Sequence, residues 1–169
     1  MSLSWRESLS QKKSEFDQET AKRCFNSAWD YLDKKVRDVN DERQMLHLAH
    51  TARYHWSLVE GPEKEQRTHL AVSDWQISRV YAALNQPELA LHFARSALKI
   101  MQDSNLSGIL HTGYEGMARA YATAKDKQSA RDYVEKAREQ LNNVASGLDA
   151  EDKKIYSDQI SETEELIGK

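Results

Sequence analysis

Shifted by 40 residues, the sequence falls on itself. Arg79-Val80-Tyr81-Ala82 lies over Arg119-Ala120-Tyr121-Ala122, and the same shift lays Ile77 on Met117, Ser78 on Ala118, Ala90 on Ala130, Phe93 on Tyr133 and Ala97 on Ala137. Self-similarity at a period of about 20–50 residues marks a supersecondary unit that cannot bury its apolar face alone and must stack on a neighbour. The small residues at Ser78/Ala118, Ala90/Ala130 and Ala97/Ala137 let paired helices approach closely. The aromatics at Tyr81/Tyr121 and Phe93/Tyr133 fill the space between layers.

Apolar spacing extends this helical reading along the chain. Phe16, Ala21, Phe25, Ala28, Leu32 and Val36 mark a first helix, behind a polar lead-in at 1–13 in which Trp5 and Leu9 sit one turn apart. Asn40 is a suitable N-cap for a second helix that carries Met45, Leu48, Ala49, Ala52, Trp56 and Val59. Gly61-Pro62 and Asn85-Gln86-Pro87 are breaks, each with a proline placed to open the next helix. Helices over about 62–84, 87–103, 109–124 and 127–144 follow, and 149–167 reads as a last helix with Ile155, Ile160 and Ile167 inward. Short connections make neighbouring helices antiparallel. The expectation is an all-α chain of about seven helices in up-down order, forming one domain over 14–169. Within it lie a divergent hairpin (14–60), two matched repeats (61–104 and 105–146) and a polar capping helix (147–169).

The repeated positions resemble the tetratricopeptide repeat. Its order of a large residue, a small one, Tyr three later, then Ala and an aromatic in the second helix is met by Ile77, Ser78, Tyr81, Ala90 and Phe93. It is met again by Met117, Ala118, Tyr121, Ala130 and Tyr133. The period is 40 rather than 34, the large aromatic that opens the first helix is offset to Trp75, and no proline ends either unit. The resemblance implies helical hairpins stacked as a right-handed superhelix, and a concave groove lined by the first helix of each pair.

Composition agrees with helix and excludes several functions. Six glycines and two prolines in 169 residues leave little material for the tight turns of a sandwich or barrel. A net charge of −3 with interleaved acids and bases offers no basic patch for nucleic acid. The single cysteine, Cys24, forms no intramolecular disulfide and no Cys-rich zinc site. A polar segment over 1–13, with no apolar core, predicts no signal peptide. No stretch reaches the roughly 18 apolar residues of a membrane span. A cytoplasmic location is expected.

In the groove that the resemblance implies, Arg79 and Arg119 stand out, because each precedes its repeat tyrosine by two residues. Trp75 lies one turn before Arg79, and Glu115 one turn before Arg119. Two guanidinium groups on stacked helices, ~10 Å apart, can clamp a carboxylate or phosphate with bidentate hydrogen bonds. The same arginines can instead pair with neighbouring acids such as Glu115. Of the six histidines, His47 and His50 share a helix face at metal-ligand spacing, but no acid accompanies them there and no HExxH motif occurs. His55 and Trp56 suit a packed layer against the third helix, and His50, Arg53 and His55 are candidates for the groove mouth. No phosphate loop, nucleophile elbow or Asp-rich cluster points to catalysis. The sequence therefore predicts a non-enzymatic interaction module without cofactor or metal, binding a protein or peptide partner, with a homodimer as one form of assembly. The alternative is a small-molecule or metal-binding protein, or a weak enzyme, using His50, His55, Trp75 and Arg79.

Overall fold

The computed structural model describes residues 5–168, with side chains from Leu9 onward. Among the described residues there are seven α-helices and no strand: α1 Trp5–Leu32, α2 Val39–Trp56, α3 Glu63–Ala83, α4 Pro87–Asp103, α5 Leu110–Thr123, α6 Lys127–Val144 and α7 Ala150–Gly168. Short 3₁₀ turns at Ser107–Ile109 and Ala145–Gly147 precede α5 and α7. The chain divides into two compact units, Met1–Ser73 and Asp74–Lys169, and the division falls inside α3 rather than at a linker. That helix contains neither Gly nor Pro, so its composition carries no sign of the division.

In the first unit α1 starts earlier than its apolar pattern predicts. The expected lead-in is helical from Trp5, while residues 1–4 and the Trp5 side chain lie outside the described residues. Arg, Glu, Leu, Gln and Lys over 6–13 are good helix formers and need no apolar face when solvated. Leu9 accordingly stays about half exposed, and Gln11 donates to Glu15 one turn on. The helix ends at Leu32, where the Arg37 guanidinium donates to the carbonyls of Leu32 and Lys34 at 3.0 and 2.9 Å. Val36 therefore lies beyond the helix and is 86% exposed, and Phe16 also points outward. The cap of α2 is Asp38, not Asn40. Its carboxylate accepts from the Asp41 backbone N–H while Asp41 accepts from that of Asp38, a reciprocal box that Asn40 has no partner to make. Ala21, Cys24 and Ala28 of α1 and Met45, Ala49, Ala52 and Trp56 of α2 are buried as these helices pack together. Alanine at the closest positions keeps the helices near each other.

The second unit carries the repeat. Tyr81 stacks on Phe93 with centroids 5.6 Å apart at 16°, and Tyr121 stacks on Tyr133 at 5.6 Å and 17°. The turns match as well. Asn85 and Lys125 both adopt left-handed backbone, with φ of 54° and 64°. In each turn the next residue donates back to the repeat tyrosine's carbonyl, Gln86 to Tyr81 at 2.9 Å and Asp126 to Tyr121 at 3.0 Å. Pro87 occupies the first turn of α4. Ala90, Ala97, Ala118, Ala130 and Ala137 are all inaccessible to solvent. The last helix differs from its predicted inward face: Ile160 and Ile167 are buried, but Ile155 is 45% exposed. Tyr156 turns in instead, edge-on to His111 at 4.4 Å.

Candidate functional site

The second unit gathers four of the predicted site residues around one carboxylate. Trp75 and Arg79 lie one turn apart on α3, and Glu115 and Arg119 one turn apart on α5. Gly116 sets their distance, since a Cβ there would meet Trp75 Cδ1 at 2.8 Å. Only glycine lets α5 come this close to the indole. Glu115 then reaches four donors. Its Oε1 accepts from Arg79 Nη1 at 2.9 Å, Arg119 Nε at 2.8 Å and Thr163 Oγ1 at 2.7 Å, and its Oε2 accepts from Trp75 Nε1 at 2.9 Å. The Arg79 guanidinium also lies 5.5 Å from the centre of the Trp75 ring.

Burial alone would push the Glu115 carboxyl up. Arg79 and Arg119 beside it, with the hydrogen bonds from Arg119 and Trp75, outweigh that and hold it at about 2. Burial draws the Arg79 guanidinium down, opposed chiefly by Glu115. A carboxylate so fully engaged is ionised at neutral pH and unsuited to general acid–base work. Its chemistry here is that of an anchor.

The arginines pair with acids of the chain itself, the alternative that Glu115 offered in the sequence, and each gives Glu115 a single N–H rather than a bidentate fork. Arg79 is buried rather than exposed on a groove, with only 8% of its side chain accessible. At the rim, Glu162 of α7 lies 3.3 Å from Arg119 Nη2 and 3.6 Å from Arg79 Nη2 and is itself 59% exposed. Glu162 and Thr163 were not legible as site residues, because α7 carries no motif and the repeat ends before it.

The first unit holds the histidine candidates. His55 Nδ1 lies 2.7 Å from Asp17 Oδ1, a buried carboxylate of α1, with the Phe16 and Tyr54 rings edge-on at 6.1 and 5.5 Å. Of the two residues expected to form a layer against the third helix, Trp56 does so, stacking on His69 at 3.6 Å and 6°. Burial lowers the His69 pKa, with Glu65 opposing. His50 and Arg53 are half-buried on α2. Trp75 and Arg79 are committed to Glu115, and His55 to Asp17, so these side chains are already engaged.

Along the seam between α1 and the first turns of α3 the surface opens. A cleft of ≈ 170 Å³ is lined by Gln11, Glu15, Gln18, Glu60, Glu65 and Gln66, among others. His69 closes it and also lines an apolar notch of ≈ 100 Å³ walled by Phe25, Trp56 and Val72, with Lys22 at its edge. Among the described residues no group of three or more His, Cys, Asp or Glu side chains is placed to hold a metal ion. No described helix is long and apolar enough to cross a membrane. No protein-family model matches the chain, and no curated protein is significantly similar to it.

Proposed function

We propose that the chain is a tetratricopeptide-like interaction module, and that the α1–α3 seam of its first unit seats an extended segment of a partner protein. The observation that carries this reading is the junction at His69 of a polar cleft with an apolar notch. The glutamine amides of Gln11, Gln18 and Gln66 suit a peptide backbone, which offers both donors and acceptors. The notch is sized for one apolar side chain. Glu15, Glu60 and Glu65 outnumber Lys22 around the seam, so a segment with lysine or arginine beside its apolar residue is favoured over an acidic one. The repeated aromatic stacks and turns of the second unit support the tetratricopeptide-like reading of the fold.

A displayed peptide library panned on the full chain tests this. Enriched peptides should pair an apolar residue with lysine or arginine and should lose at least ten-fold in affinity on Val72→Arg. That variant should keep the helical circular dichroism of the parent. Enrichment that Val72→Arg leaves untouched, or none at all, removes the seam as the seat.

A further inference from the structure

His111 is a chemically unexplained side chain of the second unit. It is 1% exposed, and neither ring nitrogen has a hydrogen-bond partner. A buried imidazole ordinarily finds at least one. The ring sits in the first turn of α5, where the helix dipole disfavours added positive charge. Tyr156 of α7 lies edge-on to it at 4.4 Å. α7 reaches its seat through the 3₁₀ turn Ala145–Gly147 and an extended Leu148, and Asp149 then caps it.

We propose that α7 is a proton-operated latch on the second unit: lifting it uncovers His111, and protonation of the ring holds the latch open. α7 is held by Ile160 and Ile167, which are buried in the core of the second unit, and by polar contacts: Glu162 and Glu164 meet their arginines at half-exposed positions, and the buried Thr163 hydroxyl reaches Glu115. Lifting α7 withdraws Thr163 from Glu115 and Glu162 from both arginines, which opens the Glu162 seat to an incoming carboxylate. This inference stands apart from the peptide seam of the first unit.

The groups acting on the ring are few. From α5 the charged group is Glu115, which draws the histidine pKa upward but is already saturated by Arg79 and Arg119. From α7 it is the Tyr156 phenol, pushed up by burial and by Asp152 and Asp149, and so neutral throughout the acid range. Among the described residues, Glu115 is the one charged side chain that acts on the ring. Burial prevails and places the covered imidazole at about 4. A histidine lowered on closing binds its proton preferentially in the open state, so closure weakens as pH falls below the ordinary 6.5 and levels off near 4. Between pH 7 and pH 5 this linkage favours opening by roughly twenty-fold.

Hydrogen exchange of the full chain at pH 7 and pH 5, corrected for intrinsic rates, reads the latch directly. Opening of 150–168 should rise about twenty-fold while α4 and α6 hold their protection, and His111→Phe should abolish the rise. An equal rise in all three helices, or a rise that survives in His111→Phe, overturns the proposal. If His111→Phe does not fold, ring titration of the unaltered protein decides by nuclear magnetic resonance. A ring near the ordinary histidine value while α7 stays protected overturns the latch. A ring that titrates only as α7 loses protection supports it.

Discussion

Arg79 and Glu115 form an ion pair with both partners out of water, Nη1 to Oε1 at 2.9 Å and side chains 8% and 2% accessible. Removing one partner strands the other as a buried, undercompensated charge. Arg79→Ala is therefore expected to cost about 3–5 kcal/mol of stability, read by urea denaturation. Adding Glu115→Ala to it should cost much less than the sum of the two single changes. Equal, additive losses would show that the pair is not coupled.

The same carboxylate makes a prediction in acid. Glu115 titrates at about 2 in the fold against 4.5 when unperturbed, so its stabilisation is complete above the unfolded value and is lost as pH falls from about 4.5 toward 2. Across that window the loss amounts to roughly 3 kcal/mol. Glu115→Gln should flatten this part of the profile while lowering stability at pH 7. A wild-type profile unchanged between pH 5 and pH 2.5 contradicts the assignment.

Gly116 and Gly113 are expected to respond differently to alanine. At 116 the new methyl meets the Trp75 ring at 2.8 Å, and moving the ring would break its hydrogen bond to Glu115. At 113 the nearest atom is the Met101 sulfur at 2.7 Å, within an unbranched thioether chain that shifts more readily than an indole, and Leu98 Cδ1 follows at 3.2 Å. Gly116→Ala should destabilise by about 1–3 kcal/mol. Gly113→Ala should come closer to neutral, because the helix propensity gained, about 1 kcal/mol, offsets the crowding. The two melting temperatures, compared side by side, check the order.

Lys125 holds a left-handed backbone at φ 64° where its counterpart in the other turn is Asn85. A lysine pays about 1 kcal/mol for that conformation, whereas glycine has no such penalty. Lys125→Gly should thus raise stability slightly, by about 0.5–1 kcal/mol in chemical denaturation, and Asn85→Lys should lower it.

Much of the helical plan was legible because it rests on local chemistry. Pro87 marked the start of α4, and the aromatic and alanine spacing marked the paired helices. Positions that needed knowledge of a distant surface were not. Phe16 has core spacing but faces water, and Ile155 yields its place to Tyr156 because His111 offers a ring to pack on. The Arg79–Arg119 pair was visible as a repeat, and its candidate acid Glu115 was visible one turn before Arg119. That α7 would add Thr163 and Glu162 was not, since no spacing rule connects residues more than 40 positions apart without a repeat. Asp17 was hidden for the same reason: it meets His55 from another helix, 38 residues away.

The two glycines of α5 make the two matched stretches unequal. Forty residues earlier their places are taken by Ser73 and Gln76, so the two copies share stacks and turns but not the close approach. A duplicated block spliced in beside α5 would bring a bulkier side chain to the Trp75 contact. Modular engineering of this chain must therefore treat α5 as a fixed keystone, with new units grafted elsewhere or given glycines of their own.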